Sequence, residues 1–393
     1  MRAAEDYARK GTCGRLTDET VEATPLPSSS RVPPLAGFLK VERPMETVRR
    51  LLDTKPEREE TRAKSLARHG SIRRILVCLD RSSFSDVALR RAISLAKTFD
   101  SAITLVYVLQ PAHETAVLRV TDACSWEVAR QEAGAYLERL GTETSRASGL
   151  RVDWRLEQGH PAERITSVAR ELGADLIVLG SHGEDGAMAW NLGSTAQQVL
   201  AVARASVLVA RSAAYAQDGC ALKRILLPLD GSLRAESVLP TAARIARAHG
   251  AEIVLAHVVP EPCASAMLRA ADDLEVARDL ATRLESSATR YLENLRDQLG
   301  REGQLVRAIV LRRADARQAL LDVARKEAVD LIVLSAHGNT CNPARSFGSV
   351  TAHLVAHSSL PLLVLQDLPM ETEPARDQNS APELRASFTA GEA

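Results

Sequence analysis

Residues 75–82 read Ile75-Leu76-Val77-Cys78-Leu79-Asp80-Arg81-Ser82, and residues 225–232 read Ile225-Leu226-Leu227-Pro228-Leu229-Asp230-Gly231-Ser232. The two stretches align at an offset of 150 residues, each an apolar run that ends in an aspartate. A second pair, Asp175-Leu176-Ile177-Val178-Leu179-Gly180-Ser181-His182-Gly183 and Asp330-Leu331-Ile332-Val333-Leu334-Ser335-Ala336-His337-Gly338, aligns at an offset of 155. Order and spacing repeat together, so the chain reads as a tandem duplication, and a repeat sets the architecture before any local pattern does.

Around these landmarks each half alternates short apolar runs with helical stripes. The first-half runs are 75–79, 103–109, 152–156, 176–179 and 206–210. The first, second and fourth are almost continuously apolar, as suits strands covered on both faces of a parallel sheet. Between them Ala88, Leu89, Ala92, Ile93, Leu95 and Ala96 mark one side of a helix. This alternation predicts two tandem doubly wound α/β domains, residues 71–211 and 222–367, joined by a linker from Arg211 to about Leu222. Pro228 lacks the N–H a central strand would use, which weakens the end of its strand. Strands 206–210 and 361–365 would leave bare edges and are expected to pair with each other.

The remaining chain has a different composition. Residues 1–70 hold six of the 17 prolines and the run Ser28-Ser29-Ser30, and are read as a disordered arm. Val48, Leu51 and Leu52 after Pro44 allow at most a transient helix there. Residues 368–393 are read as a flexible tail.

Over all 393 residues, 50 Lys plus Arg balance 50 Asp plus Glu, so there is no net basic field to gather nucleic acid or anionic lipid. With 3% aromatic residues, a base-stacking platform is also disfavoured. No apolar run approaches the ~18 residues of a membrane span, and Met1, Arg2, Glu5 and Asp6 do not open a secretory signal, so a cytoplasmic protein is expected. Cys13, Cys78, Cys124, Cys220, Cys263 and Cys341 are scattered without metal spacing and read as reduced thiols.

Ligands of open α/β sheets bind beyond the carboxyl ends of the strands, which directs attention to the residues just after each run. Asp80 and Asp230 stand there, and two readings of each remain open: an acceptor for ribose or amine, or a cap for the following turn. After the fourth run, Gly180-Ser181-His182-Gly183 is followed, after nine intervening residues, by Gly193-Ser194-Thr195. Glycines let backbone approach a bulky anion, and a helix opening at Thr195 would offer amides and a positive dipole end to phosphate. Ser194 with Gln197 also has the spacing of a capping box. His182 and His337 recur at one place in each loop, but no nucleophile lies at a recognisable spacing, so they are read as loop histidines held against backbone. His353 and His357 share a helix face with no third ligand in sight, and Trp190 is read as a packing residue.

The pattern of Gly, two residues, Gly, nine residues, Gly-Ser, downstream of a strand ending in Asp, resembles the adenine-nucleotide motif of the universal stress protein family. The resemblance covers roughly residues 71–367 and appears independently in both halves. It implies five-stranded parallel sheets in order 3-2-1-4-5, pairing of domains through the last strands, and ATP as ligand. Carried onto this chain, it implies Asp80 for ribose or adenine and Val108 as backbone adenine contact. Gly180 and Gly183, with His182 between them, would allow close approach, while Gly193, Ser194 and Thr195 would hold the phosphates. The second half offers Asp230, Val258, Gly338, Gly348 and Ser349.

Three departures bear on that reading. Arg81 replaces the glycine seen as Gly231, and Glu184 with Asp185 would repel a triphosphate unless Mg²⁺ intervenes. Ser335 stands where the first loop glycine should be, which would weaken binding if the position needs positive φ, and Arg345 could offset it. The first half is therefore read as the tighter site. The chain has no P-loop lysine motif, which argues against an enzyme. The expected function is an ATP-binding regulatory or stress-response protein with little or no turnover. The alternatives are a nucleotide-free dimerisation scaffold and an enzyme splitting the α-phosphate of ATP. Pairing of the halves is expected within the chain, a homodimer is left open, and no nucleic-acid or membrane partner is expected.

Overall fold

The computed structural model describes residues 71–110, 123–181, 192–211, 221–261, 271–339 and 346–366. Both arms, the segment around Leu51, and the loop residues His182, Gly183, Glu184, Asp185, Trp190 and Arg345 lie outside the described residues. The first half runs β1 (Arg74–Leu79), α1 (Ser83–Phe99), β2 (Ala102–Leu109), α2 (Ala123–Ser148), β3 (Val152–Gln158), α3 (Pro161–Leu172), β4 (Leu176–Gly180), α4 (Ser194–Val202) and β5 (Ser206–Ala210). The second runs β6 (Arg224–Pro228), α5 (Leu233–Glu236), α6 (Leu239–His249), β7 (Glu252–Pro260), α7 (Ala271–Arg301), β8 (Val306–Arg313), α8 (Ala316–Lys326), β9 (Leu331–Ser335), α9 (Ser349–His357) and β10 (Leu362–Leu365).

The ten strands among the described residues form one sheet in the order β3-β2-β1-β4-β5-β10-β9-β6-β7-β8. Each half is parallel and in the order 3-2-1-4-5, and the joint between β5 and β10 is antiparallel, with Leu362 opposite Val209, Leu363 opposite Leu208 and Val364 opposite Val207. The continuous apolar runs follow from the layering. Ile75, Val77 and Leu79 enter the core under α1, α2, α6 and α7, whereas Leu76 enters the core under α3, α4, α8 and α9. Pro228 is the last residue of β6, opposite Ala256, and β6 pairs with β9 only through Ile225 and Leu226, so the missing N–H falls where that ladder has ended.

The helices start and stop on local chemistry. Ser82 caps α1 by accepting the amide of Ser85, and Asp100, left-handed at φ 55°, closes its other end. α3 opens on Pro161 and stops at left-handed Gly173. Among the described residues no helix is long and apolar enough to cross a membrane.

Side chains seal the joint on both faces. Ser94 of α1 meets His249 Nε2 of α6 at 3.0 Å, and Arg244 lies 4.7 Å over the Phe99 ring while donating to Thr98 O at 3.0 Å. On the other face the buried Arg211 guanidinium donates to Val355 O, and burial pulls its pKa down to about 10.

Leu363 is buried at the centre of the joint. Leu363→Ala should therefore cost about 2–5 kcal/mol in urea denaturation. The seam also carries a pH signature. Burial, and then Arg91, holds the His249 pKa below the usual histidine value. The unfolded chain takes up this proton near pH 6.5, so the stability gained from neutral His249 is complete above that pH and is lost as pH falls toward the folded value. His249→Gln should flatten the loss of melting temperature on acidification through about pH 6.5.

Candidate functional site

β1 lies between β2 and β4, so consecutive crossovers leave it in opposite directions and open a crevice at the carboxyl ends of β1 and β4. Asp80 follows β1 at this crevice, Gly180 ends β4 opposite Ala210, and Val108 lies near the end of β2 opposite Glu157. Asp80 Oδ1 accepts from the Ser82 amide at 3.0 Å, from Ser82 Oγ at 2.6 Å and from Ser85 Oγ. Oδ2 has no protein donor among the described residues. The capping reading of the carboxylate is seen directly, since one oxygen braces the turn whose Ser82 caps α1. Cys78, just before it, is a free thiol whose pKa is raised by burial and then by Asp80.

Asp230 repeats the turn, with Oδ1 accepting from Ser232 N at 3.0 Å and Ser232 Oγ at 2.6 Å. Its Oδ2, however, accepts the Asn339 amide at 2.6 Å, so the loop after β9 is folded onto the carboxylate. Gly338 is what permits this closure. A Cβ there would sit 2.2 Å from Asp230 Oδ2, although the residue's φ is not left-handed.

The helices after β4 and β9 begin without side-chain caps, as do α3 and α6. α1, α5 and α8 are capped by the side chains of Ser82, Ser232 and Asp315. α4 and α9 begin at Gly193 and Gly348, extended residues with no side chain to satisfy the first-turn amides. Gly193 N donates to Ser181 O at 2.7 Å and Gly348 N to Ala336 O at 2.8 Å, which holds each helix start against the loop behind it. The expected capping box is absent. Ser194 is the first helical residue rather than the cap, and Gln197 Nε2 donates instead to Leu192 O at 2.7 Å. Ser194 and Thr195 in one half and Ser349 in the other therefore open helices whose amides are uncapped by side chains, an arrangement that favours an anion.

Two departures from the motif have structural answers. Ser335 is buried in a backbone conformation open to any residue, so positive φ is not what the position demands, and its hydroxyl donates to His337 O to pin the loop. Ser335 O in turn accepts from Thr351 at 3.0 Å. His337 is itself buried. Arg81 does occupy a left-handed position, φ 63° against 80° for Gly231. Its guanidinium lies 5.6 Å from the Tyr107 ring and 5.3 Å from the Tyr136 ring, and the two tyrosines meet edge to face at 6.5 Å. Contacts of this kind offset backbone strain of about 1 kcal/mol. The second half has His257 and Tyr291 in the corresponding places, their rings edge to face with centroids 6.3 Å apart. Burial lowers the His257 pKa, opposed by a backbone hydrogen bond with Leu229 and by Asp230. These aromatic pairs do not stand out in the linear sequence, yet their spacings of 150 and 155 residues repeat those of the flanking motifs.

Gly338→Ala should break the Asp230–Asn339 contact and cost about 1 kcal/mol in thermal unfolding. In an Asp230→Ala background the same change should cost much less, because the oxygen it collides with is gone.

The pattern of the Universal stress protein family matches residues 71–211 and again residues 221–366. Universal stress protein MJ0531 of Methanocaldococcus jannaschii is 29% identical over 152 residues, 37% of this chain and 88% of its own length. A universal stress protein of Mycolicibacterium smegmatis is 24% identical over 296 residues, 74% of this chain and 96% of its own. Among solved structures, a universal stress protein from Archaeoglobus fulgidus superposes with a TM-score of 0.54 at 17% identity, covering 75% of this chain and 98% of that one, and so shares the fold. With the duplicated motif, the 3-2-1-4-5 sheets and two matches spanning most of its length, the chain belongs to the universal stress protein family, as a tandem member.

Proposed function

We propose that this chain is a cytoplasmic, nucleotide-responsive regulatory protein that binds ATP in its first half, with little or no turnover. The observation that carries the reading is the pairing of an Asp80 oxygen that has no donor among the described residues with the start of α4, which no side chain caps, across one switch-point crevice. A nucleoside triphosphate has the complementary chemistry, with hydroxyl donors at one end and anionic oxygens at the other. Asp80 Oδ2 takes a ribose hydroxyl and the backbone at Val108 takes the adenine edge. Gly180 and Gly183 allow close approach beside His182, and the amides at Gly193, Ser194 and Thr195 take phosphate. Mg²⁺ offsets the charge of Glu184 and Asp185.

For the second half the Asp230–Asn339 contact favours a weaker site, because a ligand using Asp230, Val258, Gly338, Gly348 and Ser349 must first displace the loop. That half then serves the first as a scaffold, joined to it through β5 and β10.

Calorimetry with ATP and Mg²⁺ tests the assignment. Asp80→Ala and Gly193→Val should abolish binding while leaving the fold intact, Gly348→Val should leave the tighter site unchanged, and His182→Ala should weaken binding tenfold at most, about 1.4 kcal/mol. At 100 times its Kd, ATP should add about 2.7 kcal/mol of stability. Tight binding retained by both Asp80→Ala and Gly193→Val would move the site to the second half or remove it.

A further inference from the structure

β3 and β8 are the outer strands of the sheet, and among the described residues β3 pairs on one side only, with β2. The Ile103 amide donates to Arg151 O and the Gly159 amide to Leu109 O, each at 3.0 Å. Backbone groups alternate in direction along a strand, so the odd-numbered residues of β3 turn toward β2. Val152, Trp154, Leu156 and Gln158 then present their amides and carbonyls outward. The strand has no proline, lysine or bulge to deter a partner. Its charges instead alternate in sign, Arg151, Asp153, Arg155 and Glu157 on one face, while Trp154 on the other face is 42% exposed.

That order is complementary to itself. Set antiparallel to a second copy with Trp154 opposite Trp154, the strand brings Asp153 opposite Arg155 and Arg151 opposite Glu157, each twice, and Val152 opposite Leu156. The outward-facing residues then form the hydrogen-bonded pairs, and Asp153 meets Arg155 at a non-hydrogen-bonded pair, where side chains come closest. Moving the centre to Asp153 sets Asp153 against itself and Arg151 against Arg155. Moving it to Arg155 sets Arg155 against itself and Asp153 against Glu157. Arg155 now holds Glu171 at 3.2 Å and Arg151 holds Asp153 at 3.3 Å, with all four side chains at least 42% exposed, so these charges re-pair at little cost. β8 offers no equivalent match, because it carries Arg307, Arg312 and Arg313 and no acid. The spacing of Asp153 and Glu157 also fits none of the spacings between those arginines.

We infer that two copies of the chain associate through β3, antiparallel about a two-fold axis at Trp154, which joins their sheets edge to edge. The inference stands apart from the nucleotide reading, since β1 and β4 rather than β3 border the crevice.

Sedimentation velocity of the untagged full-length chain at rising concentration decides it. The native chain should reach the mass of two chains and no more. Asp153→Arg and Arg155→Asp each set like charges opposite at two places, and each should weaken association at least about tenfold with melting temperature unchanged in dilute solution. An equimolar mixture of the two variants should recover the dimer, because each copy then meets the opposite charge at both positions. A native chain that stays monomeric, a mass that grows beyond two chains, undiminished association of both single variants, or a mixture that stays monomeric would overturn the proposal.

Discussion

Three register pairs between β5 and β10 determine how everything else in the molecule is arranged. Each half on its own ends in a strand with unpaired amides and carbonyls along one side, and such an edge invites association with another chain. Pairing the two edges within the chain buries both. Val207, Leu208 and Val209 and their partners Leu362, Leu363 and Val364 become some of the most completely buried side chains, at 1% exposure or less. The helices then follow the sheet: α1 comes against α6 on one face, and Arg211 reaches α9 on the other.

Much of this arrangement is legible in the sequence for simple reasons. A parallel strand covered on both faces has to be apolar throughout, so the runs at 75–79, 176–179 and 206–210 stand out, and their recurrence shows the duplication. The boundaries move little, as with the helical stripe ending at Ala96 that extends to Phe99. The strand order comes from the family resemblance rather than from periodicity, because apolar runs carry no record of which neighbour they join.

The site is legible in kind but not in detail. Which residues follow the strands can be read from a linear chain, and Asp80, Asp230, Gly193 and Gly348 all stand at strand ends or helix starts. What each hydrogen-bonds cannot be read in the same way. Ser194 has the spacing of a capping box, but Gly193 takes the cap position, and Gln197 turns back to Leu192. Ser335 reads as a lost glycine, yet the backbone there has no need of one and the hydroxyl holds the loop. Asp230 and Asn339 are far apart in sequence, and their contact depends on tertiary folding alone.

The antiparallel joint has a geometric consequence for the two crevices. All five strands of one half point one way and all five of the other point the opposite way. The crevice beyond β1 and β4 and its counterpart beyond β6 and β9 therefore open at opposite rims of the sheet. The two crevices thus share no wall.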